Sequence, residues 1–364
     1  MFLFLEEMFS REILERVLFN FRNQVMLSPA ESGTFIASKA KDVKILDDGI
    51  DSCAQDIVKK IGDGELDMTQ LFIKTEVHPQ KSDASGIDWV FFADTLNFSF
   101  WMPEDGPQYL VTYRGATHTG YLAMCAAINR ALDSGVRLTD PKYFVDIDEK
   151  ILGELLGGDD SVPIPLLAQR VECLHQVGRV LLDKFSGTFN TCLAHCDNSA
   201  ANLLEMVLEN FPCFNDSSDY EETRVSFHKR AQILVADIWC LFEGTGVGSF
   251  KDIDTLTMFA DYRVPQSLQH YGALQYSADL LQWLREDKML QSGDRWEAEI
   301  RGCSIEAVER VTRRVKELLE ARNVTGARAR VNSILVDQYL WGYRREHVET
   351  MKSIPYHKVR SIFY

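Results

Sequence analysis

Apolar residues recur at helical spacing along most of the chain, as at Leu167, Val171, Leu174, Leu181 and Phe185, which predicts helices buried along one face. The opening MFLFLEEMFSREILERVLFNF is interrupted by Glu6, Glu7, Arg11 and Glu12, and no basic region precedes an apolar one. It reads as an amphipathic helix over about residues 6–20 rather than a secretory leader. Ser28-Pro29 opens a second helix through Phe35, Ile36 and Ala40. A weaker one is expected over 51–61, and others over roughly 119–133, 198–210, 226–243, 266–285, 305–322 and 333–350. The aromatic run WVFFADTLNFSFW (Trp89 to Trp101), the turn-rich MPEDGPQ and then YLVTYRG read as two strands with a loop. The expected fold is mainly α with one small β element. No repeat or low-complexity linker divides it, although Gly157-Gly158-Asp159-Asp160 reads as a loop.

Charge narrows the choice of ligand. The 364 residues carry 39 Lys+Arg against 54 Asp+Glu, a formal charge of −15. Proteins that grip long nucleic acid replace its counterions with Lys and Arg, so a small substrate is expected instead of intact nucleic acid. No run of 18 apolar residues could span a membrane as a helix, and no membrane partner is expected. The eight cysteines are scattered without the dense framework of a small secreted domain, which predicts free thiols in a reducing compartment. The cytoplasm is expected, with the nucleus also open. Cys192, His195 and Cys196 could line one side of a helix, but structural zinc needs four ligands, and no metal or cofactor is expected. HExxH, GxGxxG and GxxxxGKS are all missing from the chain.

Three segments hold polar residues that a plain core would not choose. Asp94 and Asn97 interrupt the aromatic run, where a buried carboxylate or amide must find partners, in a satisfied turn or in a site. Lys229 and Arg230 start the helix of HKRAQILVADIWCLF, which is apolar on nearly every side; its cations face either a cavity or, by snorkelling, water. In TMFADYRVPQ, Asp261 stands just before the helix opened by Pro265, as a positioned carboxylate or as a capping residue. Spacing alone does not bring Lys229 and Asp261 together.

The segments DWVFFADTLNFSFW, YRGATHTGY, CAAINRALDSG, RVSFHKRAQILVADIW, FKDIDTLTMFADYRVPQ, GDRWEAEIRGCSIEAVE, NSILVDQYLW and PYHKVRSIFY occur in that order. Together they resemble the queuosine salvage family, from about Ser28 to Tyr364. The resemblance implies a mostly helical domain over 28–364, with two lobes if it divides near 157–160, preceded by an extension over 1–27. It also implies a relationship to helix-hairpin-helix DNA glycosylases, although no LPGVG-like hairpin is present and the nearest candidate turn is Arg301-Gly302-Cys303-Ser304. The implied activity is queuosine 5′-phosphate N-glycosylase/hydrolase, releasing queuine from the monophosphate left by tRNA turnover. The family's Lys and Asp pair falls on Lys229 and Asp261.

That chemistry explains the pair. Breaking an N-glycosidic bond places positive charge on C1′ and the ring oxygen, which a carboxylate such as Asp261 can stabilise or attack. Lys229 could orient Asp261, hold the phosphate or help water attack. The resemblance further suggests Asp337 and Tyr343 for the cationic amine of the queuine arm, with stacking from Phe259 or Trp341; a packing role for Trp341 is equally open. Arg263, His357 and Lys358 are candidates for the 5′-phosphate, and Asn97 and Asp94 complete the expected substrate contacts. The alternative function is a noncatalytic module that binds queuine or its nucleotide.

Overall fold

Ser28 starts the first helix as its sequence predicts. Its hydroxyl accepts from the Glu31 N–H, the Glu31 carboxylate accepts from the Ser28 N–H, and Pro29 occupies the first turn. The computed structural model describes residues 26–68, 75–103, 105–326 and 330–364, so the helix expected over 6–20 lies outside it. In chain order the elements begin with α1 (Pro29–Lys39), β1 (Val43–Ile45), α2 (Asp47–Asp63), α3 (Ala84–Thr95), β2 (Leu110–Tyr113) and β3 (Ala116–Thr119). Next come α4 (Gly120–Asp133), α5 (Glu149–Leu156), α6 (Leu167–Lys184), α7 (Ala200–Asn210), β4 (Ser217–Tyr220) and β5 (Thr223–Ser226). The last are α8 (Lys229–Leu241), α9 (Val264–His270), β6 (Leu274–Tyr276), α10 (Ala278–Arg285), α11 (Arg295–Ala321) and α12 (Ser333–Glu346). The protein is mainly helical, with small sheets.

Three sequence expectations need correction. Trp89 to Thr95 is the second half of α3, not a strand, because Asp83 caps the N–H groups of Ser85 and Gly86 and starts a helix through the apolar run. That helix is buried nearly all round, so its apolar positions show no helical stripe to read. The strand expected in YLVTYRG does form, as β2, paired with β3 across a turn in which Arg114 (φ 50°) and Gly115 (φ 86°) are both left-handed. The helix expected over 266–285 is interrupted. Its middle forms β6, which pairs antiparallel with β1, Val43 opposite Tyr276. With β4 and β5, the described residues hold three two-stranded sheets rather than one β element.

The third correction concerns Arg301 to Ser304, which sit inside the 27-residue α11 and form no turn. Gly302 is there for close packing. A Cβ at Gly302 would meet Ile36 Cγ2 at 2.7 Å, and one at Gly33 would meet Ile305 Cγ2 at 2.7 Å, so paired glycines let α1 lie against α11. α11 also packs on α2 and α12, while α8 packs between α3 and α7.

Past Thr95 the chain runs irregularly through the interior, and buried guanidinium groups accept the role of partner for its carbonyls. Arg170 of α6 donates to Pro165 O (2.9 Å), Phe98 O (2.5 Å) and Leu96 O. Arg230 of α8 donates to Asp94 O (3.2 Å), Thr95 O (2.6 Å) and Cys213 O. A second irregular segment, 354–364, is tied down in a similar way. Trp101 Nε1 donates to Val359 O (2.9 Å), Ser99 Oγ to Ser361 O (2.8 Å) and Ser99 N to Tyr364 O (2.9 Å).

Candidate active site

β5 hands the chain to a tight turn at Phe227-His228, which delivers Lys229 as the first residue of α8. His228 is left-handed at φ 46°, a conformation unusual for a side chain of its size. Asp216 holds the turn in place: its carbonyl accepts from Phe227 N (2.9 Å) and His228 N (3.1 Å), and its Oδ2 accepts from Lys229 N at 3.1 Å. The Lys229 side chain therefore runs inward instead of out to water. It is 7% exposed, and Nζ donates to Asn97 O at 3.3 Å.

Asp261 combines both roles that its sequence context allows. Oδ1 accepts from Arg263 N and Val264 N, each at 2.8 Å, which caps α9. Oδ2 takes no part in that cap. Asp261 lines the same cavity as Lys229, and each is the other's strongest charged neighbour. Burial pushes the Asp261 carboxyl above its ordinary range and Lys229 pulls it back; burial likewise lowers the Lys229 ammonium.

The cavity holds about 1490 Å³. Its walls are Asn97 and Trp101 after α3, Tyr121 of α4, Lys229 and Asp237 of α8, Phe259, Asp261, Tyr262 and Arg263, Asp337, Trp341 and Arg344 of α12, and Tyr356, Lys358 and Tyr364. Phe259 N donates to Asp337 Oδ1 at 3.1 Å, which fixes that carboxyl beside Asp261. Burial and then the Asp261 charge drive the Asp337 carboxyl well above the usual range. Asp94 lies behind the wall. It is fully buried, takes one bond from Asn97 Nδ2 (3.2 Å), and is pushed well up by burial and by Asp237. Asp237 is raised to about 7, again by burial. Several carboxyls thus face one lysine, and they cannot all be charged.

Besides Asp94, two more expected site residues sit off the cavity. Tyr343 is off the cavity: with 3.6 residues per turn it stands about 120° around α12 from Asp337. Its ring stacks 4.0 Å from His347 and lies 4.8 Å from Lys60 Nζ. His357 is 1% exposed and lowered to about 3 by burial and by Arg301, so it is neutral and unsuited to a phosphate. Lys358 does line the cavity, paired with Asp287. Arg263 lines it too, with Cζ 3.9 Å from the Tyr356 ring and Nη1 donating to Gln266 at 3.0 Å. Trp341 is on the wall with the Arg345 guanidinium 4.8 Å over its ring. Cys192 and Cys196 are buried while His195 is exposed. Among the described residues no three His, Cys, Asp or Glu are grouped to hold a metal.

Sequence reasoning missed Asp237 and Arg344, and a signal for both existed. Asp237 is eight residues after Lys229 and Arg344 seven after Asp337, spacings that keep each pair on one helix face. Arg344 leaves its Nε without a partner, and burial with the neighbouring Arg263 charge lowers it to about 10. Two guanidinium groups facing one cavity make an anion the natural occupant.

Fold and site define a mainly helical protein built around a large charged cavity, with a lysine set among carboxyls. Comparison with known proteins narrows this. A family model described as queuosine salvage protein matches residues 77–364. A Bos taurus protein named queuosine 5′-phosphate N-glycosylase/hydrolase is 45% identical over 341 residues, covering 93% of this chain and 99% of that one. Proteins of the same name from Mus musculus (41% over 338 residues, 93% of this chain and 99% of the relative) and Schizosaccharomyces pombe (35% over 353, 92% and 99%) are also similar. The chain belongs to the queuosine salvage protein family. Among the described residues no helix is long and apolar enough to cross a membrane.

Proposed function

We propose that this protein hydrolyses the N-glycosidic bond of queuosine 5′-phosphate: water adds to C1′, the bond to the base breaks, and queuine leaves with a proton. The observation that carries the reading is the meeting of Lys229 with Asp261 inside one cavity, in a chain whose relatives bear that enzyme's name over 99% of their length. Asp261 offers Oδ2 to the positive charge that develops on the ribose. At about 4 Å and an effective dielectric near 20, unit charges attract by roughly 4 kcal/mol, an upper guide because the ribose charge is only partly developed. That corresponds to about a thousandfold in rate. Lys229 keeps Asp261 ionised among its competing carboxyls.

The base is a 7-deazaguanine and lacks the N7 that many purine-releasing enzymes protonate, so charge spreads over the departing ring. Asp337, whose burial and whose neighbour Asp261 both favour the protonated carboxyl, serves in this reading as a hydrogen-bond donor to that ring, and Phe259 and Trp341 supply stacking faces. Arg263, Arg344 and Lys358 take the 5′-phosphate. Residues 28–364 form the catalytic unit in this reading, since the walls come from both sides of the Gly157 to Asp160 loop. The net charge of −15 supports a free mononucleotide over intact nucleic acid as substrate. Relationship to helix-hairpin-helix DNA glycosylases and a cytoplasmic setting belong to the same reading, the first supported by the helical architecture, the second by free thiols at all eight cysteines.

Purified protein incubated with queuosine 5′-phosphate should release free queuine, and the unphosphorylated nucleoside should be cleaved with a lower kcat/KM, because phosphate contacts remote from the bond still orient the ribose. Binding without release would support the noncatalytic module instead. Equal kcat/KM for the two substrates would remove the phosphate site.

With Tyr343 off the cavity and Asp337 beside Asp261, the arm's secondary ammonium is left to Asp237. Asp237→Asn should lower kcat/KM for queuosine 5′-phosphate by about ten- to a hundredfold, the worth of one charge-assisted hydrogen bond. 7-Deazaguanosine 5′-phosphate, which has no arm, should lose less than about threefold. Equal losses on both substrates would show that Asp237 does not read the arm.

A further inference from the structure

Lys229 and Asp261 lie on segments that share no strand pairing and no helix, yet they face each other across a cavity. Something in the interior must fix their separation. Arg301, in the middle of α11 and 2% exposed, reaches both segments with one planar group. Its Nη1 and Nη2 donate to Asp216 Oδ1 (2.9 Å) and Oδ2 (2.6 Å), a bidentate pair. Asp216 Oδ2 is the atom that accepts from Lys229 N, and the Asp216 carbonyl holds the left-handed turn just before it. Arg301 Nε donates to Ala260 O at 2.9 Å, one peptide ahead of Asp261. The rings of Phe227 and Tyr364 each lie 4.1 Å from Cζ, so the guanidinium plane cannot tilt freely.

We propose that Arg301 is a positioning residue for the reaction, the rigid brace that sets Lys229 and Asp261 at their working separation. This rests on the hydrolase reading of the cavity. A buried ion pair is weak evidence of stabilisation, since well-packed apolar residues often serve as well, and what the fork adds is geometry. Displacing a reacting group by about 1 Å can cost about a hundredfold in rate. Neither Arg301 nor Asp216 is among the residues that line the cavity, so loss of the brace should lower kcat and spare ligand affinity.

The decisive variant is Arg301→Lys, which keeps the charge and most of the stem but cannot hold both Asp216 oxygens and Ala260 O in one plane. Turnover of queuosine 5′-phosphate is measured well below the variant's unfolding midpoint, beside the affinity for queuine by calorimetry. The expected result is a kcat lower by about a hundredfold, with KM and queuine affinity within about threefold of wild type. Arg301→Met paired with Asp216→Asn removes both charges together, and should give the same split whether or not stability recovers. Folded Arg301→Lys protein with kcat within about threefold of wild type overturns the proposal, as does a loss of queuine affinity that matches the loss of kcat. If Arg301→Lys does not fold, the paired variant decides by the same criteria, and failure of both to fold assigns Arg301 to the core and also overturns it. If the wild-type protein itself releases no queuine, the hydrolase reading has failed before any variant is compared.

Discussion

Asp261→Asn is expected to keep the fold and lose at least about a hundredfold in the rate of queuine release. The amide retains an oxygen for the N–H groups of Arg263 and Val264, so the cap on α9 survives and stability should change by no more than about 1 kcal/mol. What disappears is the negative charge. A neutral hydrogen bond is worth about 1 kcal/mol net, against roughly 4 kcal/mol for a carboxylate facing a full positive charge at about 4 Å. Single-turnover measurement of free queuine, with thermal unfolding of the same sample, separates the two contributions. Turnover near wild type would remove Asp261 from the chemistry and leave it a capping residue.

The largest effect on stability should come from a residue that does not itself line the cavity. Arg170→Leu strands the carbonyls of Leu96 and Phe98 in the interior and takes the partner from the half-buried carbonyl of Pro165. Each unpaired buried group costs about 1 to 3 kcal/mol, so the variant should lose about 3 kcal/mol or more. Total stabilities are usually about 5–15 kcal/mol, which makes that loss a large fraction of the whole. Burial already lowers the Arg170 guanidinium to about 9, a sign of how completely those carbonyls and the Phe98 ring have replaced water around it. Chemical denaturation would measure the change. A loss under about 1 kcal/mol would mean that the segment after α3 finds other partners.

Most helices were legible because each shows the core one face and water another, and α1 carried its start signal in the residues Ser28-Pro29 and Glu31. α3 was not, because a helix buried on nearly all sides has the same uninterrupted apolar run as a buried strand. β1 and β6 could not be anticipated either, since each is three residues long and its partner is remote in sequence. The two charged residues of the proposed reaction were marked by family motifs, but their meeting was not. It depends on Arg301, which in sequence looked like part of a turn. Tyr343 and Asp337 lie six residues apart while pointing to different sides of one helix, a distinction that the helical angle supplies and closeness in sequence does not.

Segment 354–364 carries a consequence for how the molecule becomes active. Its irregular backbone supplies Tyr356, Lys358 and Tyr364 to the cavity wall, through bonds such as Ser99 Oγ to Ser361 O that join residues 262 positions apart. Contacts so remote in sequence depend on the intervening helices having packed, whereas a helix winds locally. A refolding chain can therefore regain most of its helical signal while the pocket still lacks a wall. After dilution from denaturant, release of queuine is therefore expected to recover later than the helical signal in circular dichroism; coincident recovery would show that this segment docks together with the helices.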